Sequence, residues 1–216
     1  MKKEKQQKKY YWTGSRPNAI LEKYLAKFPR GKALDLGAGG GRNSIFLAEN
    51  GFEVEAVDKS KEGLEIIKEL SKGRDLKIGI SLCDINKFNF EKDHYSLVIA
   101  TSSLDFLKKH EVDSILDKIK ESLKTAGFVY LSVFSTEDPM YKLIVDRGIK
   151  EIEENTFYLP KYDSYRHFFT KDELKEKFKD FKIILLEQKQ ILDTGHDGPH
   201  HHNVIELLAK KTQRGD

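Results

Sequence analysis

Short apolar runs alternate with longer amphipathic segments along most of this chain. Residues 32–36 (Lys-Ala-Leu-Asp-Leu) read as a buried strand, and residues 43–50 as a helix closed by Gly51. A second strand covers 52–57 and ends on Asp58. A helix follows from the N-cap Ser60 to Gly73, then strands over 76–83 and 94–100. Val112, Ile115, Leu116, Ile119 and Leu123 line one stripe of a helix ended by Gly127, and residues 128–134 form the fifth strand. Ahead of all these, Pro17 starts a helix reaching about Phe28. Strands and helices joined by short links predict an α/β fold, a mostly parallel sheet with helices on both faces.

Residues 135–169 break the alternation. They carry Pro139, Gly148 and Pro160 with Tyr141, Phe157, Tyr158, Tyr162, Tyr165, Phe168 and Phe169, too many aromatics for a solvated loop. This insertion is expected to act as a substrate lid, the alternative being a satellite core beneath a long connection. Thr170-Lys-Asp-Glu173 is a capping box opening a helix to about Lys179. Two strands remain, 181–192 and 203–210, joined by a turn with Gly195, Gly198 and Pro199. So short a link forces them antiparallel. The expected organisation is one domain over 10–211, preceded by a disordered basic tail over 1–9.

Charge changes the picture little. With 38 basic and 35 acidic residues the net charge is +3, which gives no field for polyanions, and nucleic acid is not expected as a partner. The tail is the only hint of RNA. It lacks the apolar core of a secretory signal, and no stretch approaches a membrane span. Cys83 alone excludes an intramolecular disulfide and suits a reducing, cytoplasmic setting. A monomer or weak homodimer acting on a small molecule is expected.

The segment 34–43 (Leu-Asp-Leu-Gly-Ala-Gly-Gly-Gly-Arg-Asn) carries the chemistry. Glycines between a strand and a helix allow close backbone approach to a ligand, and the acidic residue ending the next strand, Asp58, can accept ribose hydroxyls. A dinucleotide site wants glycine where Arg42 stands, so a pyrophosphate is not expected. The pattern Asp35-x-Gly37-x-Gly39-x-Gly41 instead resembles motif I of class I S-adenosylmethionine-dependent methyltransferases, a Rossmann-like fold.

Within that class the chain is most similar to the tellurite-resistance methyltransferases, over roughly residues 9–211. The similarity is best at 34–44 and Asp58-Lys59, and continues through 84–90, 97–107 and the closing 208–211. The resemblance implies S-adenosyl-L-methionine as cofactor, with Gly37, Gly39, Asp58, Asp84 and Thr101 lining its site. Asp58 would hold the ribose, Asp84 the adenine amine, and Asp35 would suit the cationic methionine end. Ala38, Asn43, Lys59 and Ile85 complete the cofactor set, and Arg16 matches a family arginine near the active site.

The pattern departs from the family in the turn 194–202 (Thr-Gly-His-Asp-Gly-Pro-His-His-His), with Ile191 and Leu192 where the family has polar residues. His200 and His202 share one face of a strand and His201 the other. His196, His200 and His202 are the candidate catalytic residues, as substrate contacts or general base, with Asp105 and Tyr11 behind them. The same imidazoles, with Asp197 nearby, can also bind zinc; lacking a cysteine or a helical His-x-x-x-His, the turn is assigned no metal. A structural turn is the third possibility. Tyr10, Tyr11 and Trp12 are expected to close over the cofactor or to anchor the first helix. Rivals to a small-molecule methyltransferase are an RNA methyltransferase and a non-catalytic S-adenosylmethionine-binding protein.

Overall fold

The computed structural model describes residues 16–193 and 199–213. The basic tail, Tyr10, Tyr11, Trp12, His196 and Asp197 lie outside the described residues.

Helix α1 (Ala19–Tyr24) continues into a 3-10 turn over Leu25–Lys27. It begins after Asn18 rather than at Pro17, because the Asn18 side chain accepts the N–H of Ile20 and caps the helix there. The motif region then runs β1 (Lys32–Leu36), α2 (Arg42–Glu49), β2 (Glu53–Asp58), α3 (Lys61–Ser71) and β3 (Ile78–Leu82). Ser60 caps α3 as expected, accepting the N–H of Gly63.

The second half opens with β4 (Tyr95–Thr101), α4 (Lys109–Ser122) and β5 (Leu123–Phe134). Helix α4 stops at Ser122, short of Gly127, because Leu123 already pairs with Tyr95 at the start of β4. Ala126 then takes a left-handed φ of 63° as the chain re-registers on β4.

Beyond β5 come α5 (Pro139–Asp146), β6 (Glu151–Glu153), β7 (Thr156–Leu159), β8 (Ser164–His167), α6 (Lys171–Lys177), β9 (Phe181–Asp193) and β10 (His200–Lys211). The main sheet has the order β3-β2-β1-β4-β5-β10-β9. All pairings are parallel except those of β10, which runs antiparallel to both β5 and β9. Strand β1 pairs with β2 on one side and β4 on the other, so the winding reverses there, and ligands of such sheets sit at the carboxyl ends beside that point.

The period-two pattern divides the core into two layers. Leu34, Leu36, Val98 and Ala100 face Val112, Ile115 and Leu116 of α4, while Ala33, Leu97 and Ile99 face Ile20 and Leu21 of α1 and Leu47 of α2.

The insertion is itself folded. Strands β6, β7 and β8 form a small antiparallel sheet, and Phe157, Leu159, Phe168 and Ile144 pack with Phe134 and Val204 in a separate apolar cluster. Tyr141 meets Phe168 and Phe157 edge-on at 5.2 and 5.6 Å. The unit is tied to the main sheet where it leaves and returns. Phe169 N–H donates to the Phe134 carbonyl at 2.8 Å, and Ser135 N–H to that of Asn203 at 2.9 Å. Among the described residues no helix is long and apolar enough to cross a membrane.

Candidate active site

The loop from β1 to α2 turns back on β2, with the N–H groups of Gly37 and Ala38 both donating to the Val57 carbonyl. Gly37 (φ 73°) and Gly41 (φ 82°) occupy the left-handed region. A Cβ on Gly37 would stand 2.3 Å from Cβ of Ser103, and one on Gly41 2.4 Å from Ile67. The loop is thus pressed between the turn after β4 and helix α3, with space for bare backbone only.

Asp58, at the end of β2, clamps this loop. Its Oδ2 accepts the N–H of Gly39 and its Oδ1 that of Ser60, each at 2.7 Å. Asp35 lies beneath the loop at 1% exposure. Its Oδ2 accepts from the Ser44 hydroxyl at 2.6 Å, while its buried Oδ1 has no hydrogen-bond partner. Burial pushes the Asp35 carboxyl up to about 6, against the Ser44 hydrogen bond and the Arg42 charge, which pull it down. A buried carboxylate oxygen without a donor is costly unless something brings one.

The other predicted cofactor residues differ in how they are held. Asn43 is buried and uses both ends of its amide: Oδ1 accepts the N–H of Asn18 and Nδ2 donates to the Thr101 hydroxyl at 3.3 Å. It therefore joins α1, α2 and β4 at the rim. Half-buried Asp84 caps a 3-10 turn by accepting the N–H of Asn86, and Ile85 packs on the main core. Ala38 is buried, whereas Arg16 and Lys59 are exposed.

A second group of side chains gathers beyond the ends of β4 and β5. Asp105 is buried; its Oδ1 accepts the Phe134 N–H at 2.5 Å and its Oδ2 has no partner. Burial pushes Asp105 up to about 6, which the charge of Arg166 partly offsets. The Arg166 guanidinium, brought in by β8, lies 4.1 Å from the Phe106 ring centre and 5.2 Å from that of Phe134. Its Nε and Nη1 are buried without hydrogen-bond partners. Burial lowers its pKa, and the charges of Asp105 and Asp138 act against that shift.

The histidine turn adjoins this group through Phe134, whose ring centre is 4.6 Å from that of His202. His202, 5% exposed, directs Nδ1 at Asp138 Oδ2, 2.9 Å away, and Nε2 at His200 Nε2, 3.0 Å away. His201 points outward, as strand alternation requires. Sequence reasoning missed Arg166, Asp138 and Asp193 as rim residues. Asp138 carried no signal of its own within the insertion, and Asp193 fell just beyond the strand expected over 181–192.

A mostly parallel sheet of this order with an antiparallel β10, a glycine loop at its switch point and an acid ending β2 is the fold of the class I S-adenosylmethionine-dependent methyltransferases. A SAM-dependent methyltransferase from Methanosarcina mazei superposes with a TM-score of 0.74 over 91% of this chain and 99% of its own, at 21% identity. The chain belongs to the TehB family: the model described as "Tellurite resistance protein TehB" matches residues 1–205. The probable S-adenosyl-L-methionine-dependent methyltransferase TehB of Haemophilus influenzae is 27% identical over 186 residues, 83% of this chain and 57% of that protein. The crystal structure of TehB from that organism matches at 25% identity with a TM-score of 0.72, covering 94% of this chain and 65% of the other. The chain thus spans little more than half the length of the curated relative.

Proposed function

We propose that this chain transfers the methyl group of S-adenosylmethionine to a small anionic acceptor held at the Arg166 end of the rim. The observation that carries the acceptor class is the Arg166 guanidinium, buried between two aromatic rings with two nitrogens unpartnered. A fixed cation with open donors is matched by an anion of the right shape. The family description, which names tellurite, an oxyanion, supports the same class.

The residues of the glycine-loop side fit the cofactor. Oδ1 of Asp35 lacks a donor, which an ammonium group provides. Asp58 keeps further lone pairs for two ribose hydroxyls, and Asp84 for an adenine amine. Bare backbone at Gly37, Gly39 and Gly41 permits the close approach. When bound, the cofactor supplies a sulfonium methyl whose positive charge is lost on transfer.

The chain's own task is alignment and exclusion of water, with effective molarities on the order of 10⁵ M available from positioning alone. Asp105 ties the end of β5 to the turn after β4, which holds Phe106 and Phe134 as the walls on which Arg166 rests. Arg166 fixes the acceptor, and the aromatic insertion covers it as a lid. Asp138 accepts from His202 Nδ1–H, which turns Nε2 toward the acceptor end. The half-buried free thiol of Cys83 suits a cytoplasmic setting.

The test is turnover of the purified chain against selenite, tellurite, thiols, phenols and amines, in wild type and Arg166→Gln. Oxyanions or thiolates should react, and Arg166→Gln should raise the acceptor KM at least tenfold, about 1.4 kcal/mol. Affinity for S-adenosylhomocysteine should be unchanged. Turnover of neutral amines or phenols alone, or an unaltered KM in the variant, would overturn the acceptor assignment.

A further inference from the structure

We propose that Asp193, His200 and His202 form a transition-metal site, filled by zinc, at the acceptor end of the rim. Spacing alone left the turn without a metal; the strand register is what assembles the ligands. In the antiparallel β9–β10 pair, His200 lies directly opposite Asp193 and His202 opposite Ile191. Directly opposed residues share a face, as do alternate residues of one strand, so Asp193, His200 and His202 stand together.

Their donor atoms converge. One carboxylate oxygen and two imidazole nitrogens lie within 4.8 Å of one another. His202 Nε2 is 3.0 Å from His200 Nε2 and 3.9 Å from Asp193 Oδ2. Tetrahedral zinc, with bonds of about 2.0–2.1 Å, sets its ligand atoms about 3.4 Å apart. The two distances bracket that edge, so small side-chain rotations complete the geometry.

The surroundings prepare His202 for a metal. Asp138, 2% exposed, is pinned by the N–H groups of Met140 and Asn203 at 2.8 Å each, which holds it behind the imidazole. Its Oδ2 fixes the Nδ1–H tautomer and leaves the Nε2 lone pair toward His200 and Asp193. A carboxylate behind a histidine in this way is the usual outer shell of a protein zinc ligand. Two nitrogens and one oxygen, without sulfur, suit zinc better than copper(I) or magnesium. Among the described residues the site has three protein ligands, the number found in zinc sites whose fourth position binds a reactant. On the methyl-transfer reading above, that position takes the anionic atom of the acceptor, beside Phe134 and Arg166.

The test reads the metal itself. The full chain, stripped with a chelator, is titrated with zinc by calorimetry and with cobalt(II) by visible absorption. One equivalent of each should bind at micromolar affinity or tighter, with the intense absorption of tetrahedral cobalt. His200→Ala, which leaves the Asp138–His202 pair in place, and His202→Ala should each abolish the cobalt band. Asp138→Asn should weaken zinc about 10–100-fold while keeping one site. S-adenosylhomocysteine affinity should survive both chelation and the variants, which keeps failure of the metal site distinct from failure of the methyltransferase reading. Absence of a bound equivalent, or His200→Ala and His202→Ala variants that bind as the wild type does, would overturn the proposal.

Discussion

Asp35 concentrates the account at the scale of one residue. Its Oδ1 is buried without a donor, and its carboxyl is raised from 3.8 to about 6, chiefly by burial. The folded chain therefore holds this proton more tightly than the unfolded chain. The resulting stabilisation is complete below 3.8 and is lost as pH rises through about 6. Asp105 acts in the same direction over the same window. A bound ammonium group favours the ionised form of Asp35, so ligand binding must expel the proton wherever the free protein holds it. Affinity for S-adenosylhomocysteine is expected to fall below pH about 6, approaching tenfold per pH unit. Calorimetry between pH 5 and 7 checks this: Asp35→Asn should bind weakly with a flat profile, and a flat wild-type profile would remove Asp35 from the site. Both Asp35 and Asp58 were legible in the sequence, because each sits at a fixed distance from the glycines. Arg166 and Asp138 were not, since their roles arise from rings and imidazoles distant in the chain: Phe106, Phe134 and His202.

At the scale of elements, the insertion between β5 and α6 makes the sharpest prediction. Its apolar cluster takes in Phe134 of β5 and Val204 of β10, and it is joined to the main sheet at its two ends; the lid role proposed above requires it to tighten when an acceptor binds. Hydrogen exchange over 135–169 should be faster than in β1, β4 and β5, and should slow when S-adenosylhomocysteine and an acceptor bind together. Exchange as slow as in the central strands, and indifferent to ligand, would leave the insertion a rigid wall. The sequence revealed the central strands because each alternates cleanly between two buried layers. It concealed β6, β7 and β8 because strands this short carry too few residues to show a period, and aromatics stand on both faces of β7. The end of α4 was missed for a different reason. Leu123 continues the helical stripe of Ile119 and Leu116, and only pairing with Tyr95 removes it from the helix.

Across the whole molecule, one rim carries both halves of the proposed chemistry. The glycine loop, Asp58 and Asp84 lie at the carboxyl ends of β1, β2 and β3. Asp105 lies beyond that of β4, Phe134 ends β5, and the start of β10 adjoins them through His202. The winding reverses between β1 and β4, the edge beside which ligands of such sheets sit. On the function proposed above, cofactor and acceptor meet across the end of β4. The family's sequence pattern is strong on the cofactor side, and this chain's own residues distinguish the acceptor side. The measurement that bears most directly on the account is a calorimetric titration with S-adenosylhomocysteine of the wild type beside Asp58→Ala. One site of micromolar affinity is expected, weakened in the variant by one or two charge-assisted hydrogen bonds of about 1.5–3 kcal/mol each. No heat of binding at millimolar ligand, or equal affinity in the two proteins, would contradict it.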